Sequence, residues 1–197
     1  MSLPARFLHI SSEEFLEMEA KSSVRHELVS GQMFAMAGSS EAHNVIALNI
    51  ATILRIRLRG TGCRAFIFDM KAKVEKTDDL YYPDVMATCE RFVAKSLFKS
   101  NPFLLVEVLS PSTANIDRRE KLSAYRMIES VREYVIVYQD YKRVELYRKD
   151  ETGSWQFAVL GAGDKLLLES LPTGPLLLTM DEIYEDVNFA ESVNESA

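Results

Sequence analysis

The sequence lacks most of the features that mark a specialised chain. It holds only 2 cysteines and 3 histidines in 197 residues. Cys63 and Cys89 stand in no CxxC or His-rich spacing, which excludes a disulfide framework and a zinc finger. They read as reduced, partly buried thiols of a cytoplasmic chain. No apolar run reaches the ~18 residues of a membrane span; the best candidate, Val45 to Ile56, is interrupted by Asn49, Thr52 and Arg55. The opening Met1-Ser2-Leu3-Pro4-Ala5-Arg6 has no apolar signal core, so secretion is not expected. Repeats, low-complexity tracts and Gly/Ser linkers are missing too, and nothing divides the chain. One domain over 1–187 with a flexible tail at 188–197 is expected.

An excess of positive charge is also missing. The net charge is −6, which taken alone argues against a polyanionic partner. The acidity is local, however. Residues 1–150 carry 22 Lys+Arg against 20 Asp+Glu, and residues 151–197 carry 1 against 9. The body is near neutral, so phosphate binding at one site is compatible with it, while a broad basic footprint is not. Hydrophobic residues make up 47% of the chain, enough for a single globular core.

Ser11-Ser12 before Glu13-Glu14-Phe15-Leu16 predict a capped helix to about Ala20. Ser30-Gly31 between mixed apolar stretches predict a hairpin over Arg25 to Ala37. Val45, Leu48, Asn49, Thr52, Ile53 and Ile56 recur at helical spacing after Ser39-Ser40 and stop at Gly60. Alternation predicts one strand from Arg64 to Glu75 and a second from Tyr81 to Thr88. Phe103 to Leu109 reads as a strand covered on both faces. A second long helix is expected over Ala114 to Glu129, then a hairpin of Glu133 to Tyr138 with Arg143 to Arg148. Trp155 to Leu160 is a candidate edge strand. The order implies a small α/β fold, a mixed sheet with helices packed on it.

Glu107 breaks the apolar run Phe103-Leu104-Leu105-Val106-Glu107-Val108-Leu109. A lone buried carboxylate costs several kcal/mol, so Glu107 must have a partner. Asp84, in Tyr82-Pro83-Asp84-Val85, is a second acid in a short apolar strand. Two converging carboxylates need a shared proton or a cation, and oxygen ligands without His or Cys select Mg²⁺ or Mn²⁺. The alternative is that each acid pairs with an Arg or Lys in a structural salt bridge. Asp117, Lys121 and Tyr125 share one helix face at four-residue spacing, which is equally the pattern of a solvated ion pair. Lys71, on the strand face of Asp69, is a rival lysine.

Together, Tyr82-Pro83-Asp84-Val85, Val106-Glu107-Val108-Leu109-Ser110-Pro111-Ser112-Thr113, Asp117 through Glu120-Lys121 to Tyr125, and Arg132-Glu133-Tyr134-Val135 resemble the Uma-type restriction endonuclease family. That family was formerly a domain of unknown function and sits in the PD-(D/E)XK nuclease superfamily. Upstream, the resemblance takes in Glu13-Glu14-Phe15-Leu16, Glu27-Leu28-Val29-Ser30-Gly31, His43 and Asp69, and it spans about residues 10–187. It implies a restriction-endonuclease-like core with an N-terminal helix and hairpin. It also implies Mg²⁺ (or Mn²⁺) at Asp84, Glu107 and the Val108 backbone carbonyl, with Lys121 as the catalytic lysine. Glu27, Asp69, His43, Lys71 and Tyr125 are supporting candidates. The implied activity is metal-dependent hydrolysis of DNA by a homodimer. One position departs from the superfamily: Leu109 stands where it has a lysine, two residues after the acid. An inactive nuclease-fold protein that binds DNA or another protein is therefore the alternative expectation. Arg55, Arg57, Arg59, Arg118 and Arg119 are candidate phosphate contacts, or simply solvated helix faces.

Overall fold

The computed structural model describes residues 9–109 and 117–189. Ser11 caps α1 (Ser12–Glu19) with a capping box to Glu14. A hairpin follows, β1 (His26–Val29) with β2 (Gln32–Ala35). Its two-residue turn needs positive φ at both positions, supplied by Ser30 at 50° and Gly31 at 74°. Ser40 caps α2 (Glu41–Arg57), which buries His43, Ile46, Ala47, Ile50, Ala51 and Leu54 along one stripe. These elements and the mixed α/β class are as expected, but the buried face of α2 is not. Leu48 and Ile56 of the expected stripe are exposed, because this helix is apolar on both sides and the sheet takes the Ile46–Ile50–Leu54 side.

The next segment differs from the reading of two long strands. The chain runs β3 (Arg64–Ile67), β4 (Lys71–Val74), β5 (Asp79–Tyr81) and β6 (Val85–Thr88), and β3 and β6 lie in a different sheet from β4 and β5. Phe68, with φ of 52°, turns the chain between β3 and β4. Tyr82-Pro83-Asp84 does the same between β5 and β6, where Pro83 has no N–H to give a ladder. After β7 (Phe98–Lys99) and β8 (Pro102–Leu109), residues 117–121 form one π-helical turn leading into α3 (Leu122–Arg126). The first part of the expected helix over 114–129 thus lies outside the described residues. Then come β9 (Glu133–Tyr138), β10 (Val144–Lys149), β11 (Trp155–Leu160), β12 (Lys165–Leu168), β13 (Leu176–Thr179) and α4 (Met180–Ile183).

The larger sheet has the order β11-β10-β9-β8-β6-β3, with β8 and β9 parallel and its other pairs antiparallel. The smaller has the order β2-β1-β5-β4-β7, and β12-β13 is a separate hairpin. α2 and α4 cover one face of the larger sheet around Leu104, Val106, Val108 and Val135. The other face carries Leu105, Leu109, Tyr134 and Ile136 against Tyr125 of α3 and Tyr81 and Val74 of the smaller sheet.

The cysteine reading is corrected. Cys63 and Cys89 form a disulfide. Arg64 pairs with Thr88 across β3 and β6, so one step outward the two cysteines face each other with Cα atoms 4.0 Å apart. Spacing in the sequence does not reveal a pairing that depends on strand register. Cysteine usage therefore gives no argument for a reducing compartment. No helix among the described residues is long and apolar enough to cross a membrane.

Candidate active site

The turns at Phe68 and at Tyr82-Pro83-Asp84 and the C-terminal end of β8 meet at one place. Asp84, held between β5 and β6, accepts a hydrogen bond on Oδ2 from the Val108 N–H at 2.7 Å. Its Oδ1 lies 2.8 Å from His43 Nε2, brought in by the first turn of α2. Strand alternation turns Glu107 onto the tyrosine-lined face, where its Oε1 accepts from the Tyr125 hydroxyl at 2.7 Å. Lys121 Nζ stands 3.2 and 3.3 Å from the two Glu107 oxygens and 3.0 Å from Glu27 Oε1. Glu27, on β1, also accepts from the Tyr82 N–H at 3.0 Å. Lys121 therefore ties the smaller sheet to the larger one.

All of these except Tyr125 line one cavity of ≈ 320 Å³, with Glu120 and a wall formed by Phe34 through Ser39. Glu27, Asp84, Glu107 and Glu120 face Lys121 and Arg25 there, so carboxylates outnumber cations. Burial, and then the charges of Glu107 and Glu27, push the Tyr125 phenol well above its ordinary range. It is a donor at any working pH and fixes one Glu107 oxygen. A strand residue's N–H and C=O point to the same side, so the Val108 carbonyl faces Asp84 as its amide does. Among the described residues, His43 Nδ1 is buried with no hydrogen-bond partner.

Of the predicted site residues, Asp84, Glu107, Val108, Lys121, Glu27, His43 and Tyr125 come together. Asp69 and Lys71 do not reach this cavity. They line a neighbouring one of ≈ 400 Å³ that shares Arg25 and Tyr82 with it. Asp69 pairs with Arg25 at 2.8 Å, and the Lys71 ammonium sits 4.6 Å from the Tyr82 ring centroid. Burial lowers the Lys71 pKa against the opposing charges of Glu19 and Asp69. Arg55 and Arg57 lie about 20 Å along α2 from His43, and Arg57 donates to the Thr173 and Pro175 carbonyls. The Asp117 and Arg118 side chains fall outside the described ones. Sequence reasoning missed Arg25, Glu19 and the Phe34–Ser39 wall. Glu19 reads as a solvated helix acid, yet it accepts from the Tyr82 hydroxyl at 3.0 Å, a contact with no local signal.

The donor set is hard. Two carboxylates, a main-chain carbonyl and no thiolate suit Mg²⁺ or Mn²⁺. Among the described residues no three His, Cys, Asp or Glu side chains form a metal cluster. Mg²⁺ uses one or two carboxylates, water and phosphate in place of an all-protein cage, so Asp84 and Glu107 fit it.

Comparison with known proteins identifies the family and the fold. The Uma2 family model, described as "Putative restriction endonuclease", matches residues 12–180. Uncharacterized protein slr1290 of Synechocystis sp. is 34% identical over 186 residues, 94% of this chain and 96% of that one. Uncharacterized protein sll1609 of the same organism is 31% identical over 149 residues, covering 74% and 84%. A crystal structure of "a putative nuclease belonging to DUF820" from Anabaena variabilis superposes with a TM-score of 0.70 at 17% identity, over 89% of this chain and 97% of that one.

Proposed function

The chain belongs to the Uma2 family, and from that premise we propose that it is a Mg²⁺- or Mn²⁺-dependent endonuclease that hydrolyses DNA phosphodiester bonds. The observation that carries the reading is the meeting of Asp84, Glu107 and Lys121 in one carboxylate-rich cavity. Asp84 and Glu107, with the Val108 carbonyl, would hold the ion, which when bound supplies a Lewis acid for phosphate oxygen and lowers the pKa of water. The chain's own residues do the rest. His43 and the Val108 amide fix the Asp84 carboxylate. The Tyr125 hydroxyl orients Glu107. Lys121, braced by Glu27 and Glu107, sets a positive charge where negative charge grows on the attacked phosphate. A lysine on the π-turn thus serves where the superfamily uses the position of Leu109. Cutting both strands of a duplex from one site per chain calls for a homodimer.

The test is plasmid nicking with Mg²⁺ or Mn²⁺ by wild type, Asp84→Ala and Glu107→Ala. Loss of cleavage in both variants, with folding retained by circular dichroism, is expected. Wild-type rates in both would refute the assignment. Leu109 favours a second reading, a nuclease fold that binds DNA or protein without cutting. Calorimetry separates the two, because an inactive module has no reason to bind Mg²⁺ at Asp84 and Glu107.

A further inference from the structure

The free edge of the larger sheet has an unusual composition. β11, Trp155-Gln156-Phe157-Ala158-Val159-Leu160, carries no charge and no proline, and its four central residues are exposed. Edge strands are ordinarily blunted by a charge, a proline or a cover. Trp155, Phe157 and Val159 alternate onto one face, beside Lys149, Tyr147 and Glu145 of β10. Phe157 is 55% exposed, with its ring centroid 4.8 Å from that of Tyr147. The Arg126 guanidinium lies 5.3 Å from the Trp155 ring and 5.7 Å from the Tyr147 ring. Among the described residues Arg126 makes no ion pair with a carboxylate, and the Lys149 ammonium meets only the Glu129 backbone carbonyl. The acids nearby are engaged. Glu145 is buried against Arg143 and the Tyr138 hydroxyl, and Asp150 closes the β10–β11 turn through Thr152 and Ser154. What faces solvent is the Phe157 ring, with half-buried Tyr147 and Trp155 beside it and cations next to them.

The Val159 end of this strand is in register with the candidate active site, and Phe157 and Trp155 follow two and four residues further along it. Glu107 stands opposite Ile136, Ile136 opposite Glu145, and Glu145 opposite Val159. Residues opposite each other in a sheet share a face, so Val159 lies on the face of Glu107, three strands or about 14 Å away. Arg126 directly follows Tyr125, which bonds Glu107, so α3 links the two places.

We infer that the Tyr147–Trp155–Phe157 face is a stacking platform for unpaired bases of a single-stranded or splayed nucleic acid whose backbone continues from the Asp84–Glu107 cavity. Rings accept any base by stacking, and Arg126 and Lys149 complement the phosphates. A duplex keeps its bases stacked on one another and has none to give the platform. The inference rests on nucleic acid being the substrate, but not on cleavage.

The chain has 1 tryptophan, Trp155, so its emission reports on this face alone. The experiment titrates the protein, in EDTA to prevent hydrolysis, with an oligothymidylate of about 12 nucleotides. Saturable quenching that weakens with added salt is expected. Phe157→Ala, an exposed change, should weaken binding about tenfold or more, and Phe157→Tyr should restore it. A matched duplex should quench far less. Absence of quenching, or quenching indifferent to Phe157→Ala, overturns the platform. So does light scattering that finds a dimer which Phe157→Lys dissociates, because a second copy then occupies the edge. Quenching by a protein that fails the nicking assay supports the platform and refutes the cleavage; nicking without quenching refutes the platform alone.

Discussion

Lys121→Met is the sharpest test of how the cavity is held together. The substitution keeps the length and apolar stem of the side chain and removes its charge. Lys121 is 5% exposed, and its ammonium stands 3.0 Å from Glu27 and 3.2 Å from Glu107. Both acids are buried and come from different sheets. Without the ammonium they remain two like charges in a poorly solvated space, the case in which breaking a buried pair costs about 3–5 kcal/mol. For a chain of this size each kcal/mol moves the melting temperature by about 2–4 °C, so a fall of roughly 6–20 °C is expected by calorimetry at pH 7. Glu27→Gln combined with Lys121→Met should recover part of the loss, since the repelling partner is then neutral. The coupling in that cycle should be about 0.5–3 kcal/mol. Lys121→Arg keeps the charge and should retain most of the stability while losing nicking activity, because a planar fork does not reproduce a point ammonium. A Lys121→Met protein that melts with wild type would refute the reasoning: Glu27 and Glu107 would then not depend on Lys121, and its place in the mechanism would fall with it.

Other expectations test separate parts of the structure. Tyr125→Phe keeps the edge-to-face packing on Tyr81 and Tyr134 but deletes a 2.7 Å hydrogen bond to Glu107, at about 1.5–3 kcal/mol. Because the phenol stays protonated, the loss measured by urea unfolding should not vary between about pH 5 and 9. Reducing the Cys63–Cys89 bridge, which closes a separation of 26 residues, should cost about 3.5 kcal/mol by the loop-entropy relation; a thiol titration of the native protein should find no free sulfhydryl. Asp150, whose carboxyl is pulled down to about 2 by hydrogen bonds from Thr152, Gln156 and Ser154, is depressed when folded. Its contribution is therefore complete above the unfolded value near 4 and disappears as pH falls through about 2. The stability gap between wild type and Asp150→Ala should close over that interval, and an NMR titration midpoint near 4 would contradict it.

Much of the fold was legible because local rules agreed with the final packing. The Ser11 and Ser40 caps, the Ser30-Gly31 turn and the β9–β10 hairpin each follow from residues within a few positions of one another. The buried stripe of α2 does not: apolar residues lie on both its faces, and periodicity alone picks the one that holds exposed Leu48 and Ile56. The failures share one cause. Alternation runs unbroken from Arg64 to Val74, so it gives no sign that Phe68 adopts positive φ and sends β3 and β4 to different sheets. That turn is held by a tertiary contact, the Phe68 amide donating to the Asp84 carbonyl at 3.2 Å, which local alternation cannot foretell. The disulfide was hidden for the same reason, as was the β12–β13 hairpin, for which the sequence carried no expectation.

The rule that singled out Glu107, a carboxylate in an apolar strand, also applies to Glu133 and Glu145. Glu133 is fully buried, and there the salt-bridge alternative holds: Arg148 Nε donates at 2.8 Å, joined by the Glu169 and Ser170 amides and the Ser170 hydroxyl. Glu145 is likewise matched by Arg143 and two tyrosine hydroxyls. Neither lines either cavity. Burial of an acid thus predicts a partner in every case but chemistry in only some. What separates Glu107 and Asp84 is that an ammonium, a phenol, an imidazole and an amide hold them, in place of a guanidinium, and that both border the same open volume. A guanidinium fork takes both oxygens of a carboxylate in one plane. Single donors fix the orientation of an acid while its carboxylate still borders space that a ligand can enter, which is the condition a hydrolytic site requires and a structural ion pair avoids.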